Sequence, residues 1–582
     1  MDKTSSKSLN DITPGPGLFS LLKPYWVIIT VLTVMALLGS ATNMLIPRII
    51  AHGIDAFSSN HFDLRAVVIE FLIACMAIFI FTFIQSILQT FASERVAKDL
   101  RIKLSNKISQ QSYAFVLKSN PSKLLTNLTS DIDSLKMFVS MAFVNIISSV
   151  FIIVGTAILL ILINWKLALT VIAIVPVIGG TFFIVLKKVR VLFRKSREVI
   201  DSLNKIINES IMGSALIRVL NSQLPESLKF MEANSESRNL GMSILRLFSM
   251  LIPVIMFVAN LATVTILALG GHFVVAGSMS LGNFAAFNSY LMLLIFPILM
   301  IGFMSNIIAQ ATASYNRIYV VLNAPSTEEA GIISNNIRGD ILLKNVSLFY
   351  GDKPILKEIS LSVKAGSKTA IIGPTAAGKS QLLYLLTNLI SPASGSIEFD
   401  GVSIDKYTKE IFHSQIGFVF QDSVIFNMSL RENIAFNENV TNESLEKAIA
   451  TAELTDFIDS LPQKLDTIVS ERGTSLSGGQ KQRIMLARAL AINPKILLLD
   501  DFTSRIDRKT ENKILCNLEN NYPDLTLISV TQKIAPVKHF EQIILLMEGE
   551  IIAAGTHKEL IESSPEYIQI YSSQRSTHHY EL

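Results

Sequence analysis

Apolar and polar residues follow one another in two different patterns along this chain. Up to about residue 320, long apolar runs are separated by charged stretches. Beyond it, short apolar runs alternate with amphipathic ones in the manner of a globular α/β protein. A helix needs roughly 20 apolar residues to cross a bilayer core. Runs at 25–47, 66–89, 141–163, 167–186, 249–271 and 284–306 reach that length and predict six membrane-spanning helices. Only Asn164, Trp165 and Lys166 separate the third run from the fourth, so these two form a tight antiparallel pair. Tyr25, Trp26 and Trp165 stand at run ends, where an amphipathic ring suits the headgroup layer.

Charge then gives the orientation. The stretch 92–140 carries Arg95, Lys98, Arg101, Lys103, Lys107, Lys118, Lys123 and Lys136, and 187–246 opens with Lys187, Lys188, Arg190, Arg194, Lys195 and Arg197. The stretch 272–283 has no charged residue at all. Lys and Arg collect on the cytoplasmic side, so the two basic stretches and both termini are read as cytoplasmic. Buried helices of a soluble protein would not alternate with charge in this way. The basic stretches are themselves helical in pattern. Helices two to five should therefore continue well past the bilayer, with tips near 119–124 and 209–213 touching whatever domain follows.

That domain is predicted from 341 to 575. A cytoplasmic segment at 1–24 precedes the membrane domain at 25–322, a polar Pro- and Gly-containing linker at 323–340 follows it, and a short tail at 576–582 ends the chain. Strands are expected at Ile341–Tyr350, Lys368–Ile372, 495–500 and 525–530, and helices at 379–389 and 508–520. The fold class is thus a polytopic α-helical membrane domain fused to an α/β P-loop ATPase domain.

Composition agrees. Half of the 582 residues are hydrophobic and 17% are charged, with a mean hydropathy of +0.45, which places part of the chain in membrane lipid. A net charge of +4 is too small to suggest nucleic acid. Cys75 and Cys516 lie in segments of different character and form neither a disulfide framework nor a zinc spacing. The first twenty residues are polar, so no secretory signal is read there.

Chemistry enters at Gly373, Pro374, Thr375, Ala376, Ala377, Gly378, Lys379 and Ser380, which match GxxxxGK[ST] between an apolar strand and a helix. Backbone N–H groups of such a loop, with the positive end of the helix behind it, surround a triphosphate. Lys379 would reach the β- and γ-phosphates and the Ser380 hydroxyl would ligate Mg²⁺. The alternative is an ordinary glycine turn, which the flanking strand and helix disfavour. Farther on, Ile496-Leu-Leu-Leu-Asp500-Asp501 reads as a buried parallel strand ending in acid, with Asp500 holding Mg²⁺ through water.

Between these lies Leu476-Ser477-Gly478-Gly479-Gln480, opening an amphipathic helix. A Ser-Gly-Gly turn alone could be helix capping. In this position it resembles the signature of ATP-binding cassette (ABC) ATPases. Tyr350 fits the family's adenine-stacking aromatic, against the alternative of a core strand aromatic. Gln421 fits the glutamine that touches Mg²⁺, and Glu471-Arg472-Gly473 the segment that senses the membrane helices. The residues 126–137 and 297–316 also resemble the exporter-type membrane domain. The resemblance spans about 25–575 and implies an ATP-driven half-transporter with ATP and Mg²⁺ as cofactors. Two such halves would close head-to-tail around two ATP molecules. Each site would take its phosphate loop from one half and Ser477, Gly478, Gly479 and Gln480, or their counterparts, from the other.

Four positions depart from the family, two of them at the catalytic centre. Asp501 stands where a Glu normally polarises the attacking water, and Gln532 where a switch histidine normally follows the next strand. Ala376 replaces a usual glycine, losing φ freedom, and Arg505 a usual small residue. The chain is therefore expected to bind ATP but hydrolyse it slowly. Its intact signature would complete a working site on a different half-transporter. A homodimer with weak catalysis, or an ATP-gated regulatory or channel-like subunit, are the alternatives. Few charges fall in the membrane runs, which suggests an amphipathic or hydrophobic cargo such as a drug, lipid or peptide. Asn260, Asn288, Asn306 and Gln310 could line a cavity or bond helix to helix, and Glu70 could be interfacial or touch substrate.

Overall fold

The computed structural model describes residues 17–325, 331–470 and 473–578. Glu471 and Arg472 lie outside the described residues, as do the centre of the linker and the two chain ends. By their contacts the residues fall into two compact units, one of 1–110 and 119–325, the other of 111–118 and 326–582.

In the first unit each predicted apolar run lies inside one long helix. These are Leu18–Ser58, Leu64–Ser109, Pro121–Ile163, Trp165–Met212, Gln223–Val275 and Leu281–Leu322, between 41 and 53 residues each. At 1.5 Å per residue they are roughly 60–80 Å long, about twice the ~30 Å of a bilayer core. Continuation beyond the membrane is therefore real. A helix suits lipid because it satisfies its own backbone N–H and C=O groups. The second helix keeps only 6% of its most apolar window buried, and Leu72, Ile73, Phe79 and Phe83 point outward, a surface that lipid covers. Trp26 and Trp165 are likewise exposed.

Polar side chains set the helix ends. Asn164 alone connects the third helix to the fourth, its Oδ1 accepting from the N–H groups of Lys166 and Leu167 at 3.1 Å each. Asp55, near the end of the first helix, accepts from the Ser280 hydroxyl and the Gly282 N–H, both at 2.7 Å, and so clasps the start of the sixth. Below that clasp Leu160, Leu167, Ala168, Phe287 and Tyr290 form a buried cluster, with the Tyr290 hydroxyl donating to the Met44 carbonyl at 3.0 Å. Toward the other end, Asp131 sits in a π-turn of the third helix, Asn127–Asp131, 2% exposed. It accepts from Ser314 at 2.9 Å and from the Arg317 guanidinium of the sixth helix.

The second unit contains two sheets. Strands β1 (Ile341–Tyr350), β2 (Lys353–Val363), β4 (Ser394–Phe399) and β5 (Val402–Ser403) form an antiparallel sheet in the order β2-β1-β4-β5. The other sheet runs β10-β9-β3-β8-β7-β6 and consists of β3 (Lys368–Ile372), β6 (Ile416–Val419), β7 (Ile496–Asp500), β8 (Thr526–Thr531), β9 (Gln542–Met547) and β10 (Glu550–Gly555). All its pairings are parallel except that of β10 with β9. Its central strands read as unbroken apolar runs because both faces are covered. The expected strands lie within one residue of those found. The helix expected at 379–389 stops at Leu386, since Asn388 turns into the left-handed region (φ 54°).

One expectation is corrected. The first cytoplasmic tip that joins the ATPase unit is 111–118, not 119–124. Its Tyr113 packs with the buried cluster around Leu382 and Leu385, its ring 5.8 Å from that of Tyr384. The second tip, where Gly213 follows Met212, belongs to the membrane unit.

The clasp at Asp55 leaves no room on Gly282, where a Cβ would stand 2.1 Å from the Ala51 carbonyl oxygen, whereas one on Gly271 meets nothing within 4 Å. Gly282→Ala should therefore lower the thermal unfolding midpoint in detergent, by an overpacking cost of about 1–3 kcal/mol. Gly271→Ala should leave it unchanged.

Candidate nucleotide site

The strand order decides what meets at the site. β3, β8 and β7 are parallel neighbours, so the residues leaving their C-terminal ends lie side by side, where open α/β sheets bind ligands. The phosphate loop leaves β3, Thr531 ends β8 with Gln532 just after it, and Asp500 ends β7 with Asp501 just after it. One cavity is lined by Thr375, Ala376, Ala377, Gly378, Lys379 and Ser380 together with Gln421, Asp500, Asp501 and Gln532. Residues far apart in sequence are thus brought together as expected.

Locally the loop is shaped by its glycines. Gly378 (φ 98°) is the N-cap of helix Lys379–Leu386, and a Cβ on it would stand 2.7 Å from Leu356 of β2. Gly373 likewise has the Leu546 carbonyl oxygen 2.0 Å from where a Cβ would be. Ala376 does adopt the left-handed conformation (φ 66°) despite its side chain. The expected loss of backbone freedom becomes a strain of order 1 kcal/mol rather than a change of loop shape. Lys379 Nζ donates to the Gly373 and Pro374 carbonyls at 2.9 and 2.7 Å, which holds a cation inside the loop.

Electrostatics at the sheet edge are set by burial. Desolvation pushes Asp500 up from the usual carboxylate range, opposed by a hydrogen bond from Ser380 and by the Lys379 charge. Asp501 is pushed up by desolvation and then by its neighbour Asp500, and Lys379 is pulled down by desolvation against both carboxylates. Asp500 is 2% exposed and its Oδ2 has no hydrogen-bond partner, an orphaned oxygen on a residue that lines one cavity with Ser380 and Gln421. Such an all-oxygen set, with one carboxylate, fits a Mg²⁺ ion that keeps its waters and phosphate oxygens. Among the described residues no cluster of three or more His, Cys, Asp or Glu offers a metal cage of its own.

Asp501 is held in an unusual backbone conformation (φ 48°), its N–H donating to Val530 at 2.9 Å. Gln532 reaches back to the phosphate loop, its Nε2 3.4 Å from the Thr375 hydroxyl. Both departures therefore act on one cavity. Tyr350 ends β1 half exposed instead of sitting in the core, and Ser477 opens helix Gly478–Ala491 with a capping box shared with Gln480. Neither Tyr350 nor Ser477, Gly478, Gly479 and Gln480 line this chain's own phosphate cavity.

Both sequence models that match are of this kind, one for the ABC transporter transmembrane region at 29–298 and one for the ABC transporter at 356–504. An uncharacterized ABC transporter ATP-binding protein, YfiB of Bacillus subtilis, is 33% identical over 95% of this chain and 98% of its own length. The chain belongs to the ABC transporters. Further relatives of this ABC transporter chain are a probable multidrug resistance protein, YheI of B. subtilis, and an ATP-dependent lipid A-core flippase of Syntrophus aciditrophicus. Each is 28% identical, over 95% and 85% of this chain and 96% and 83% of their own lengths. A solved bacterial Atm1-family ABC exporter with ATP bound has the same fold, with a TM-score of 0.79 and 24% identity over 95% of this chain and 99% of its own. The transporter is thus an integral multi-pass membrane protein whose second unit is a cytoplasmic ATP-binding domain.

Two contacts escape sequence reasoning. Gln574, on the C-terminal helix Pro565–His578, donates to the Gln532 carbonyl at 2.6 Å and accepts from the Ile534 N–H at 2.9 Å, pinning the segment after β8. A side-chain amide carries both the donor and the acceptor this needs, yet nothing in the sequence pairs it with a loop 42 residues earlier. Arg505 packs its stem on the signature, 2.9 Å from where a Cβ on Gly478 would be. Gln574→Ala should raise hydrogen exchange at the Ile534 amide by about fivefold, the equivalent of one hydrogen bond of roughly 1 kcal/mol. Gln574→Glu, which keeps the acceptor, should raise it less; mass spectrometry of peptides covering 531–537 reads both.

Proposed function

We propose that this chain is the slow-site half of a heterodimeric exporter of an amphipathic or hydrophobic substrate. One observation carries the reading. Asp501 and Gln532 line the same cavity as Lys379, Ser380 and Asp500, so both unusual residues bear on a single ATP. In this reading the backbone of Gly373 to Gly378, with Lys379, binds the phosphates, and Tyr350 offers its exposed ring to adenine. Ser380, Asp500 and Gln421 hold Mg²⁺, which when bound neutralises phosphate charge.

Asp501 is the residue placed to take a proton from water, but its carboxylate is one methylene short of Glu. The resulting retraction is roughly 1.5 Å, and a misplacement of about 1 Å costs on the order of 100-fold in rate. Gln532 can donate to a phosphate oxygen but cannot carry the charge of an imidazolium. Ser477, Gly478, Gly479 and Gln480 lie off this cavity, and the N-terminus of the helix they open would face a partner's γ-phosphate. Export and a drug- or lipid-like cargo are supported by the relatives named as multidrug resistance protein and lipid A-core flippase. A homodimer in which Asp501 is the base is the competing reading, and it would have the same slow chemistry at both sites.

Purified alone, the chain should show little ATPase; with a half-transporter carrying Glu and His at the two positions, turnover should be substantial. Asp501→Asn should then reduce it only slightly, while Glu→Gln in the partner stops it. Vigorous ATPase from the chain alone, abolished by Asp501→Asn, would establish the homodimer instead. Within the pair, Ser477→Arg should abolish turnover and leave ATP labelling of this chain intact. Lys379→Ala should remove that labelling through loss of a charge-assisted phosphate contact.

A further inference from the structure

We propose that the membrane unit carries a binding site for an anionic amphiphile at its cytoplasmic mouth, built on Arg190, Arg194 and Arg197. The inference rests on the exporter reading and names the chemistry of what would enter.

A cavity of about 960 Å³ lies between the third, fourth and sixth helices, large enough for a small ligand. It begins where the apolar runs stop: Arg190 follows the run 167–186, and Asn306 ends the run 284–306. Arg190, Arg194 and Arg197 recur at the spacing of one helix face and all three line it, as do Phe193 and Ile200. Lys187, Lys188 and Lys195, interleaved with them, do not. Orientation in the membrane depends on the number of basic residues, not on their face. That arginine and not lysine lines the cavity therefore asks for another cause.

Charge balance supplies it. Two carboxylates line the cavity against four guanidiniums. Asp131 is already committed to Arg317 and Ser314. Among the described residues none of Arg190, Arg194 and Arg197 forms an ion pair. Guanidinium groups bind phosphate and carboxylate through two parallel hydrogen bonds, which ammonium groups cannot do. Asn306 and Gln310 add polar groups on the facing helix, and Phe193 and Ile200 an apolar flank for a hydrocarbon tail. These arginines lie beyond the apolar runs, whose own scarcity of charge is unchanged. Of the two roles open to Asn306 and Gln310, both residues line the cavity, and Gln310 also bonds helix to helix, donating to the Ser134 hydroxyl at 3.2 Å.

The test uses the assembled transporter in phosphatidylcholine nanodiscs and competition against a fluorescent alkyl phosphate. Dodecyl phosphate should compete at least about tenfold better than dodecyltrimethylammonium, which has the same tail and the opposite charge. R190Q/R194Q/R197Q should weaken dodecyl phosphate by about tenfold or more. K187Q/K188Q/K195Q should leave it unchanged. Should the triple arginine variant fail to assemble, R194Q alone should give a loss of a few-fold, and added salt should weaken the wild type. Equal binding to wild type and arginine variants, or an equal loss in the lysine variant, overturns the site. Phenyl phosphate tests the tail: weaker binding than dodecyl phosphate is expected of an amphiphile, and binding as tight would overturn the amphiphile in favour of a soluble organic anion. ATP-analogue labelling of the same samples separates the two levels. Its absence would refute the ATP-driven reading without touching the arginine result.

Discussion

A carboxylate buried at the end of a parallel strand is the feature on which the ATPase unit turns. Asp500 is almost fully enclosed, and removing a charge from water in that way is tolerated only with compensation nearby. Lys379 and Ser380 supply part of it, and one oxygen remains unpartnered. Everything around follows from keeping those groups together. β7 must be parallel and flanked on both sides so that Asp500 ends beside the phosphate loop, and the loop must turn tightly enough to present Lys379 inward. The glycines at 373 and 378 are there because β9 and β2 press against them.

The membrane unit solves a related problem differently. Its helices are apolar outward, and its few polar contacts are placed at the ends. Asp55 accepts from the start of the sixth helix near one end, and Asp131 from Ser314 and Arg317 near the other. Both carboxylates bond across helices, where hydrophobic attraction between lipid-exposed helices is weak and packing with polar contacts must fix register. The π-turns at Asn127–Asp131 and Ile266–Gly270 interrupt otherwise regular helices, and the first of them aims Asp131 inward.

Much of this was legible in the sequence because its signals are local. An apolar run long enough for a bilayer, a GxxxxGK[ST] loop between strand and helix, and an apolar strand ending in Asp each carry their structure within a short window. What was missed depends on contacts across the chain. Tyr113 belongs to the ATPase unit because it meets Tyr384, and the helical pattern of 92–140 is the same whichever residue forms the tip. Gln574 reads as a surface glutamine until the segment after β8 is folded against it. At 187–197 the spacing of the arginines is local, but orientation alone accounts for the basic charge there, and only the folded helix shows which of those residues share a cavity. Ala376 is the reverse case: alanine resists a positive φ, yet the surrounding loop imposes that conformation anyway.

The turn after Asp501 links what the proposed reading separates. Gln482, buried in the signature helix, donates to Ser504 and accepts from the Arg505 N–H, both at 3.1 Å, and Arg505 packs on Gly478. The segment leaving Asp501 therefore cannot shift without pressing on the start of that helix. If the signature serves the partner's ATP, the occupancy of this chain's own site is transmitted there through two hydrogen bonds and a close contact, with no large motion needed. On the proposed slow-site reading, this chain's own site is then not an idle one. By holding its nucleotide it holds Asp500, Asp501 and the turn that follows in one arrangement, and with them the glycines that complete the other site. Arg505 supplies the side chain that lies along Gly478 in this contact, so the turn after Asp501 and the start of the signature helix are packed as one piece.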